Sequence, residues 1–278
     1  MALNREEHFM NWADALREEL RERAEVLPAA KSPLAYRSVG RAPVLLFRPS
    51  DDGRTHGNFF RAAWAGITSH PAWQLRLNKV HSQLRSLPPD CHSWARELDS
   101  SNSSDALLMN IFCLPSASAR AAVVLGADPP NAEPAFGFNP RVDLLSGSTD
   151  ETEVDMRLGD TLVEAKLTEA DFKSREKTHV FHYKAFQDVF EVDLLPGNTT
   201  HFYSYQLIRN VLAAAQLHLR LVVVIDFRRP DLLQEWWSVH MAIRNARLRA
   251  RCGVRFWQEL AATLETEHAA FLEEKYGI

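Results

Sequence analysis

The segment from Glu151 to Thr168 constrains the fold more than any other part of this chain. It contains two runs in which apolar and polar residues alternate, and Gly159-Asp160 between them suits a two-residue hairpin turn. Successive side chains of a strand point to opposite faces of the sheet, so one face of this hairpin is apolar. That face carries Val154, Met156, Leu158, Val163, Ala165 and Leu167. The pattern predicts a β-hairpin that buries this face.

The other face of the predicted hairpin is charged. Pairing around the turn sets Asp155 opposite Glu164 and Glu153 opposite Lys166, with Arg157 on the same face. Opposed Cβ atoms lie about 5 Å apart, where like charges destabilise a sheet. At an effective dielectric constant of about 20, two unit charges at that separation repel by roughly 3 kcal/mol. A divalent cation between the two carboxylates would remove this repulsion, and Mg²⁺ prefers such oxygen ligands.

A solvated polar face is the alternative interpretation, because amphipathic hairpins often expose a charged side. The triplet acid-x-Lys occurs at Glu164–Lys166, Asp171–Lys173 and Glu273–Lys275. Only the first triplet lies on an alternating strand with an acid opposite. This context favours a metal site, in which Lys166 would stabilise negative charge on an attacking water or a phosphate oxygen.

The arrangement resembles the PD-(D/E)XK nuclease superfamily, which has the restriction-endonuclease-like fold. In that motif an acid ends one strand and the next strand carries Glu-x-Lys. Asp155, Glu164 and Lys166 match these positions, whereas Val154 stands where the motif has proline. Further stretches are similar to a bacterial subgroup of restriction-endonuclease-like proteins: residues 103–110, 164–172, 205–210 and 226–231.

The resemblance implies an α/β protein with a restriction-endonuclease-like core, a mixed central β-sheet flanked by helices, and an N-terminal helical extension. It implies catalysis by Asp155, Glu164 and Lys166. It also implies Mg²⁺, with Mn²⁺ as a substitute, held by the two acids and the backbone carbonyl of Ala165. Glu153 is a candidate for binding a second ion or for tuning Lys166.

The resemblance further implies that a helix after the hairpin completes the site, and the helix containing Gln206 is the candidate. Its apolar stripe comprises Leu207, Ile208, Val211, Leu212 and Ala215. Gln206, Arg209 and Asn210 lie on the other side, so we predict a catalytic role for Gln206 and nucleic-acid binding by Arg209. The alternative is a polar face in water. An upstream helix is expected to contribute Asp105 or Asn110.

Charge bears on the substrate. The net charge of −4 argues against a protein that coats nucleic acid. Residues 228–255, however, contain seven arginines and two acids, which sum to +5. His240, Arg244, Arg247 and Arg251 recur at helical spacing, and arginine binds phosphate through two parallel hydrogen bonds. We predict that these arginines bind nucleic acid; the alternative is a solvated helix.

Composition and length set broader bounds. The chain has 278 residues, 46% of them hydrophobic, which fits a globular protein. No apolar run reaches about 18 residues and no signal peptide is evident, so we expect no membrane span and a cytoplasmic location. Cys91, Cys113 and Cys252 are too widely spaced for a disulfide framework or a zinc site. We divide the chain into a mainly helical N-terminal lobe, 1–100, and a nuclease core with C-terminal helices, 101–278.

Hydrophobic periodicity predicts the other elements. We expect strands at 42–47 and 141–145 and a central strand at 221–225. Loops are predicted at 126–140 and, beside the site, at 169–183. Helices are predicted at 4–26, 59–68, 71–84, 104–112 and onward to 124, 183–192, 231–249, 254–264 and 267–276.

Two functions are compatible with this pattern. The first is a Mg²⁺-dependent nuclease, a DNA endonuclease of bacterial antiviral defence or mobile-element biology that works as a homodimer or with a partner protein. The second is a non-catalytic DNA-binding or scaffold subunit of a larger complex. RNA is a less favoured substrate. His179, His182 and His201 lack an acid that would complete a zinc site, and no glycine-rich phosphate loop indicates ATP use.

Overall fold

A computed structural model describes residues 11–27, 44–81, 84–87 and 89–278. The strands are β1 (Ala135–Phe138), β2 (Val142–Asp143), β3 (Thr149–Asp150), β4 (Val154–Leu158), β5 (Thr161–Ala165), β6 (Arg175–Glu176), β7 (His201–Phe202), β8 (Arg220–Ile225) and β9 (Cys252–Phe256). The helices are α1 (Trp12–Val26), α2 (Arg61–Ser69), α3 (Pro71–Arg76), α4 (Ser104–Phe112), α5 (Pro115–Leu125), α6 (Lys177–Val180), α7 (Phe186–Val189), α8 (Tyr205–Leu217), α9 (Pro230–His240), α10 (Ala246–Arg251), α11 (Trp257–Ala261) and α12 (Thr266–Tyr276).

The central sheet has five strands in the order β1-β4-β5-β8-β9. The pairs β1–β4 and β4–β5 are antiparallel, whereas β5–β8 and β8–β9 are parallel, so the sheet is mixed. β5 and β8 lie inside the sheet and are almost wholly buried. A strand covered on both faces needs a continuous apolar sequence, which explains the β-branched run in β8.

The hairpin of β4 and β5 has the predicted register. Met156 pairs with Val163 and Leu158 pairs with Thr161. Gly159 begins the turn with φ of +55°, a left-handed conformation that glycine adopts without steric cost.

Two layers of helices cover the sheet, one on each face. Both are needed because successive side chains of β5 point to opposite faces and all of them are buried. Leu162 belongs to the cluster that includes α8 and α9, whereas Val163 belongs to the cluster that includes α1, α4, α5, α11 and α12. Val154 packs in the first of these clusters while Met156 packs in the second. The prediction that both line one face is therefore wrong for Val154, the first residue of β4.

The described N-terminal residues pack directly on the core. Leu16 and Leu20 of α1 share a cluster with the central strands. Trp64 of α2 and Trp73 of α3 pack with Met109 of α4 in a smaller cluster. The division at residue 100 stays a prediction.

Several predicted elements differ from the structure. Residues 44–47 form only the isolated bridge between Leu46 and Ser100, not a strand, and residues 42 and 43 lie outside the described ranges. β1 lies inside the predicted loop 126–140, and β9 occupies the start of the predicted helix 254–264. Both are edge strands of the central sheet, and hydrogen bonds to β4 and β8 favour the extended conformation there.

Helix lengths also differ from the prediction. The predicted helix 231–249 ends at His240, 71–84 ends at Arg76, and 183–192 shortens to α7. The predicted loop 169–183 contains β6 and α6. Helix α1 starts at Trp12 after its N-cap Asn11, and residues 4–10 of the predicted helix lie outside the described ranges. Ser103 caps α4, with its side chain accepting a hydrogen bond from Ala106 N.

In the described ranges, no single helix combines the length and apolar character needed to cross a membrane. Helices α4 and α5 meet that test only together, as a pair bent by 110°. Cys91, Cys113 and Cys252 are buried free thiols.

Candidate active site

The end of β5 carries a buried ion pair. Glu164 and Lys166 lie two residues apart on one face, and Lys166 Nζ is 2.8 Å from Glu164 Oε1. Asn210 on α8 donates a hydrogen bond of 2.8 Å from Nδ2 to Glu164 Oε2. Burial would raise the pKa of Glu164, but the Lys166 ammonium lowers it below the usual value. Both oxygens of Glu164 are thus held in a fixed orientation.

Lys166 remains charged in this environment. Its side chain is 8% exposed, and its Nζ lies 5.6 Å from the centroid of the Phe172 ring. Burial alone would lower its pKa, whereas the neighbouring carboxylates, with Glu164 first, raise it above the usual value. An ammonium in such a site stabilises nearby negative charge strongly, because little water screens it.

Asp155 on β4 faces the same region. Its Oδ2 accepts a hydrogen bond of 2.8 Å from the backbone nitrogen of Ala165. Burial, then the carboxylates of Glu164 and Asp105, raise the pKa of Asp155 to about 7. The two acids of the hairpin therefore crowd each other electrostatically, as the sequence predicts.

A second group of charges joins this pair from the N-terminal part of the chain. Arg76 Nη2 lies 2.9 Å from Oδ1 of the buried Asp105, and Lys79 Nζ contacts the other oxygen of this carboxylate. Arg76 Nη1 also lies 2.8 Å from Glu153 Oε2. Asp155 acts on the pKa of both Arg76 and Lys79, so the two groups form one cluster.

The position of Glu153 corrects a prediction. Its half-exposed carboxylate pairs with Arg76, and no ion pair with Lys166 is found among the described residues. Glu153 precedes the first residue of β4, so strand alternation does not place its side chain. Its proposed influence on Lys166 therefore lacks a direct contact.

Two buried amide oxygens beside this cluster are free to accept a hydrogen bond or to bind a cation. Gln206 Oε1 and Asn210 Oδ1 are buried, and neither has a hydrogen-bond partner among the described residues. They lie at i and i+4 on α8, one helical turn apart. Buried polar atoms are normally satisfied by protein, ordered water or an ion. Gln206 is therefore placed beside the residue that holds Glu164.

These donors fit a hard divalent cation. Mg²⁺ usually takes one or two protein carboxylates together with water and substrate phosphate. Asp155 and Glu164 supply two carboxylates of like charge, and the amide oxygens of Gln206 and Asn210 lack partners. Among the described residues, no group of three or more His, Cys, Asp or Glu side chains is placed to hold a metal ion. A cation at this site would therefore also need amide or backbone oxygens, water or substrate as ligands.

Comparison with known families adds an independent observation. The family model described as "Restriction Endonuclease associating with ARP" matches residues 15–277. The chain belongs to this restriction-endonuclease family. No match to the chain was found among curated proteins or among solved structures.

Family membership and the mixed five-stranded sheet together confirm the predicted restriction-endonuclease-like fold. The match starts at residue 15 and therefore includes α3, whose end supplies Arg76, as well as the hairpin. The matched region thus extends well beyond the three residues of the short motif.

Arg209 does not lie at the surface. Its guanidinium is buried, with Nη2 donating 2.7 Å to the backbone oxygen of Glu153 and Nη1 donating to that of Thr152. Both terminal nitrogens are thus used inside the protein, and the prediction that Arg209 binds nucleic acid is not supported. It instead fixes the segment that leads into β4.

The predicted arginine stripe is also divided. Because α9 ends at His240 and α10 starts at Ala246, Arg244 lies between two helices and pairs with Glu191 at 3.1 Å. Arg251 Nη1 donates to the backbone oxygen of His218, just after α8. His218 follows Asn210 by eight residues, which is about 12 Å along a helix axis. Arg247 and Arg251 therefore lie near the end of α8 remote from Glu164.

Sequence reasoning missed Arg76 and Lys79. Both lie at or just after the end of α3, far from the hairpin in sequence. The predicted acid on an upstream helix, Asp105, is the residue that connects them to the site. Asn110, the other upstream candidate, instead donates to the backbone oxygen of Asn58 and accepts from Phe60 N.

Proposed function

We propose that this protein is a Mg²⁺-dependent nuclease that hydrolyses phosphodiester bonds, with DNA as its substrate. The observation that carries the proposal is the convergence of Asp155, Glu164 and Lys166 next to two unpaired amide oxygens. Asp155 and Glu164 would hold the metal, with the Ala165 carbonyl as a further ligand. When bound, Mg²⁺ would lower the pKa of a coordinated water and neutralise charge on the scissile phosphate.

The residues of the chain have separate tasks in this proposal. Asn210 and Lys166 fix the two oxygens of Glu164, so the carboxylate is oriented before a ligand arrives. The Lys166 ammonium offsets negative charge that develops on the reacting phosphate. Gln206 would direct its free Oε1 towards the metal or a water molecule.

The charge of the cluster fits a metal and one phosphodiester. With Asp155 ionised, as a metal ligand must be, the ion-paired groups and Asp155 comprise four carboxylates and three cations. They sum to −1: Asp105, Glu153, Asp155 and Glu164 with Arg76, Lys79 and Lys166. A divalent ion changes the sum to +1, and a phosphodiester of charge −1 returns it to zero. Neither the metal nor the substrate would leave a large uncompensated charge in a region of low dielectric.

We extend to this chain the association that the family description names. Under this proposal it works with an ARP protein in bacterial defence or mobile-element biology, so cleavage is measured with and without that partner. A non-catalytic, DNA-binding subunit is the second candidate. It is favoured by one observation, that Lys166 and Asn210 already occupy both oxygens of Glu164.

Plasmid cleavage in Mg²⁺ or Mn²⁺ tests the nuclease proposal. We expect Asp155→Asn, Glu164→Gln and Lys166→Met each to lower the rate by about 100-fold or more, because each removes a ligand or a charge at the reacting centre. Asp188→Asn, which changes an exposed carboxylate on α7, should cleave like the wild type. Equal cleavage by all four variants would refute the assignment.

Metal binding gives a second measurement. Mg²⁺ should raise the melting temperature of the wild type, since a ligand that binds only the folded state stabilises it. The increase should disappear in Asp155→Asn and persist in Asp188→Asn. DNA binding without cleavage or metal-induced stabilisation, alone and with ARP, would favour the non-catalytic subunit.

A further inference from the structure

Four cationic side chains lie in a short exposed segment beside the candidate active site. The segment 173–184, here called the basic segment, contains Lys173, Arg175, Lys177 and Lys184 and one acid, Glu176. Its charge is therefore +4 − 1 = +3, in a chain whose net charge is −4. Lys173, Arg175 and Lys184 are exposed and Lys177 is half-buried.

None of these four cations forms a salt bridge with another described residue. Asp171, Asp231 and Glu235 line the same pocket as Lys173 but do not pair with it. The cations nearer the core are paired, such as Lys166 with Glu164 and Arg229 with Asp231. A cation without an ion-pair partner is available for an external anion.

Backbone contacts hold the start of the basic segment beside the candidate active site. Tyr205 N donates 2.7 Å to the oxygen of Lys173, and Gln206 N donates 3.0 Å to the oxygen of Phe172. The Phe172 ring lies 5.6 Å from Lys166 Nζ. The segment therefore starts one residue after a side chain that contacts the catalytic candidate.

The segment continues across the start of α8. The Arg175 guanidinium carbon lies 5.9 Å from the centroid of the Tyr205 ring, and Tyr205 O–H is 3.4 Å from His179 Nε2. Tyr205 and Asn210 are separated by about 7.5 Å along the helix axis. Arg175 thus lies within a few nucleotides' length of the carboxylate that Asn210 holds.

We propose that the basic segment is the surface on which the protein binds the phosphate backbone of its nucleic-acid substrate. This inference rests on the proposed function and adds the location of the substrate strand. The partly exposed aromatic rings of Phe181 and Tyr203, at 38% and 44% exposure, offer stacking surfaces beside the cations. Lys173 and Arg175 contact the phosphates nearest the scissile bond, and Lys177 and Lys184 contact those further away.

The chain contains a matched control at the other end of α8. α10 carries three arginines and no acid, Arg247, Arg249 and Arg251, so its charge is also +3. Helix α8 has 13 residues, and the two basic groups are therefore separated by roughly 20 Å. Removing three charges from either group changes the net charge equally, so the two variants differ in where the charge is lost. The α10 variant also loses the hydrogen bond from Arg251 to the backbone oxygen of His218.

Fluorescence anisotropy with labelled duplex DNA, single-stranded DNA and duplex RNA tests the proposal. The measurement is made in EDTA, so that binding is separated from cleavage. We expect the triple variant Lys173→Gln, Arg175→Gln, Lys177→Gln to bind duplex DNA at least about tenfold more weakly. Its slope of log affinity against log salt should fall by about 0.9 for each lost phosphate contact, or about 2.7 in total.

Because Arg251 contacts His218 at the end of α8 remote from Glu164, the control variant Arg247→Gln, Arg249→Gln, Arg251→Gln should retain the affinity and the slope of the wild type. This expectation opposes the sequence-based prediction that Arg247 and Arg251 bind nucleic acid. Equal losses in both triple variants, or a loss only in the α10 variant, would overturn the proposal. Absence of nucleic-acid binding by the wild type, or binding only to vesicles with anionic lipid, would also overturn it. If the basic-segment variant melts at a lower temperature, Arg175→Gln alone replaces it, with an expected slope change of about 0.9.

A separate variant distinguishes this inference from the proposed function. Asp155→Asn should bind DNA in EDTA at least as tightly as the wild type, because it removes a negative charge beside the strand. A protein that shows the binding pattern but cleaves nothing would refute the nuclease and retain the surface.

Discussion

Asp105 and Asp155 belong to the same cluster, yet their pKa values shift in opposite directions. Burial would raise the pKa of both. Lys79 and Arg76 contact Asp105 and lower its pKa, whereas Glu164 and Asp105 add to the effect of burial on Asp155. The direction of each pKa shift thus depends on whether the neighbouring side chains are cations or carboxylates. A cation would give Asp155 the partner that Asp105 already has.

Lys275 shows the effect of burial on a cation without a partner. Its side chain is buried, its Nζ has no hydrogen-bond partner among the described residues, and burial lowers its pKa from 10.5 to about 7. The unfolded chain therefore binds more protons than the folded protein between these pH values, and stability rises with pH across this window. Below pH 7 the folded protein must keep a charged ammonium near Phe47 and Tyr276.

We expect Lys275→Met to raise the free energy of unfolding by on the order of a few kcal/mol at about pH 6. The gain should shrink as the pH approaches 10.5. Urea denaturation at several pH values measures the difference. Lys184→Met, at an exposed position, serves as the control, and a gain for Lys275→Met that does not change with pH would contradict the expectation.

The hairpin and α8 are the elements that place the candidate site. The hairpin brings Asp155 and Glu164 together. From α8, Asn210 donates a hydrogen bond to Glu164, and Arg209 donates to the backbone of the segment before Asp155. The turn of the hairpin and the anchor of α8 can be tested separately.

The turn requires glycine. At Gly159 the φ of +55° disfavours other residues, and an added Cβ would lie 2.5 Å from the backbone oxygen of Asp128. We expect Gly159→Ala to lower the free energy of unfolding by about 1–3 kcal/mol in chemical denaturation. Gly253→Ala in β9 is the control, since no heavy atom lies within 4 Å of its added Cβ. Equal effects of the two substitutions would show that the turn does not constrain the hairpin.

Arg209 tests the anchor of α8. We expect Arg209→Met to lower the free energy of unfolding by about 2–4 kcal/mol, because it removes two charge-assisted hydrogen bonds to the oxygens of Thr152 and Glu153. Hydrogen exchange should accelerate in residues 152–155, and cleavage should fall because Asp155 loses its position. Arg247→Met at the surface is the control. Reduced DNA affinity with unchanged stability would instead support the predicted contact of Arg209 with phosphate.

The whole molecule encloses the site between parts that are distant in sequence. Arg76, after α2 and within α3, bridges Asp105 on α4 to Glu153 before β4. Leu16 and Leu20 of α1 complete the apolar cluster under the central strands. The N-terminal residues therefore contribute to both the core and the charge of the site.

A fragment containing only residues 101–278 tests this dependence. We expect it to lack a cooperative thermal transition and to bind Mg²⁺ weakly, because it exposes the cluster under α1 and leaves Asp105 without Arg76 and Lys79. Calorimetry and Mg²⁺ titration of the fragment and the full chain measure this. A fragment that unfolds cooperatively would support the predicted division at residue 100.

Local sequence patterns were sufficient to predict the central strands of the fold. The alternation of apolar and polar residues in 151–168 and the apolar run 221–225 predicted β4, β5 and β8. A strand that is buried on one or both faces needs apolar residues at regular positions in the sequence. The register followed from a two-residue turn and placed Asp155 near Glu164. Their catalytic and metal-binding roles, and that of Lys166, stay predictions.

By itself the sequence determined the hairpin, the central strand, α8 and the family likeness. Only the tertiary structure decided that Arg76 and Lys79 join the site, that Arg209 is internal, and that α9 and α10 are separate helices. The physical reason is the separation along the sequence over which each interaction acts. Side-chain alternation and turn geometry act between neighbouring residues, whereas ion pairs and the hydrogen bonds of edge strands join residues whose proximity exists only after the chain has folded.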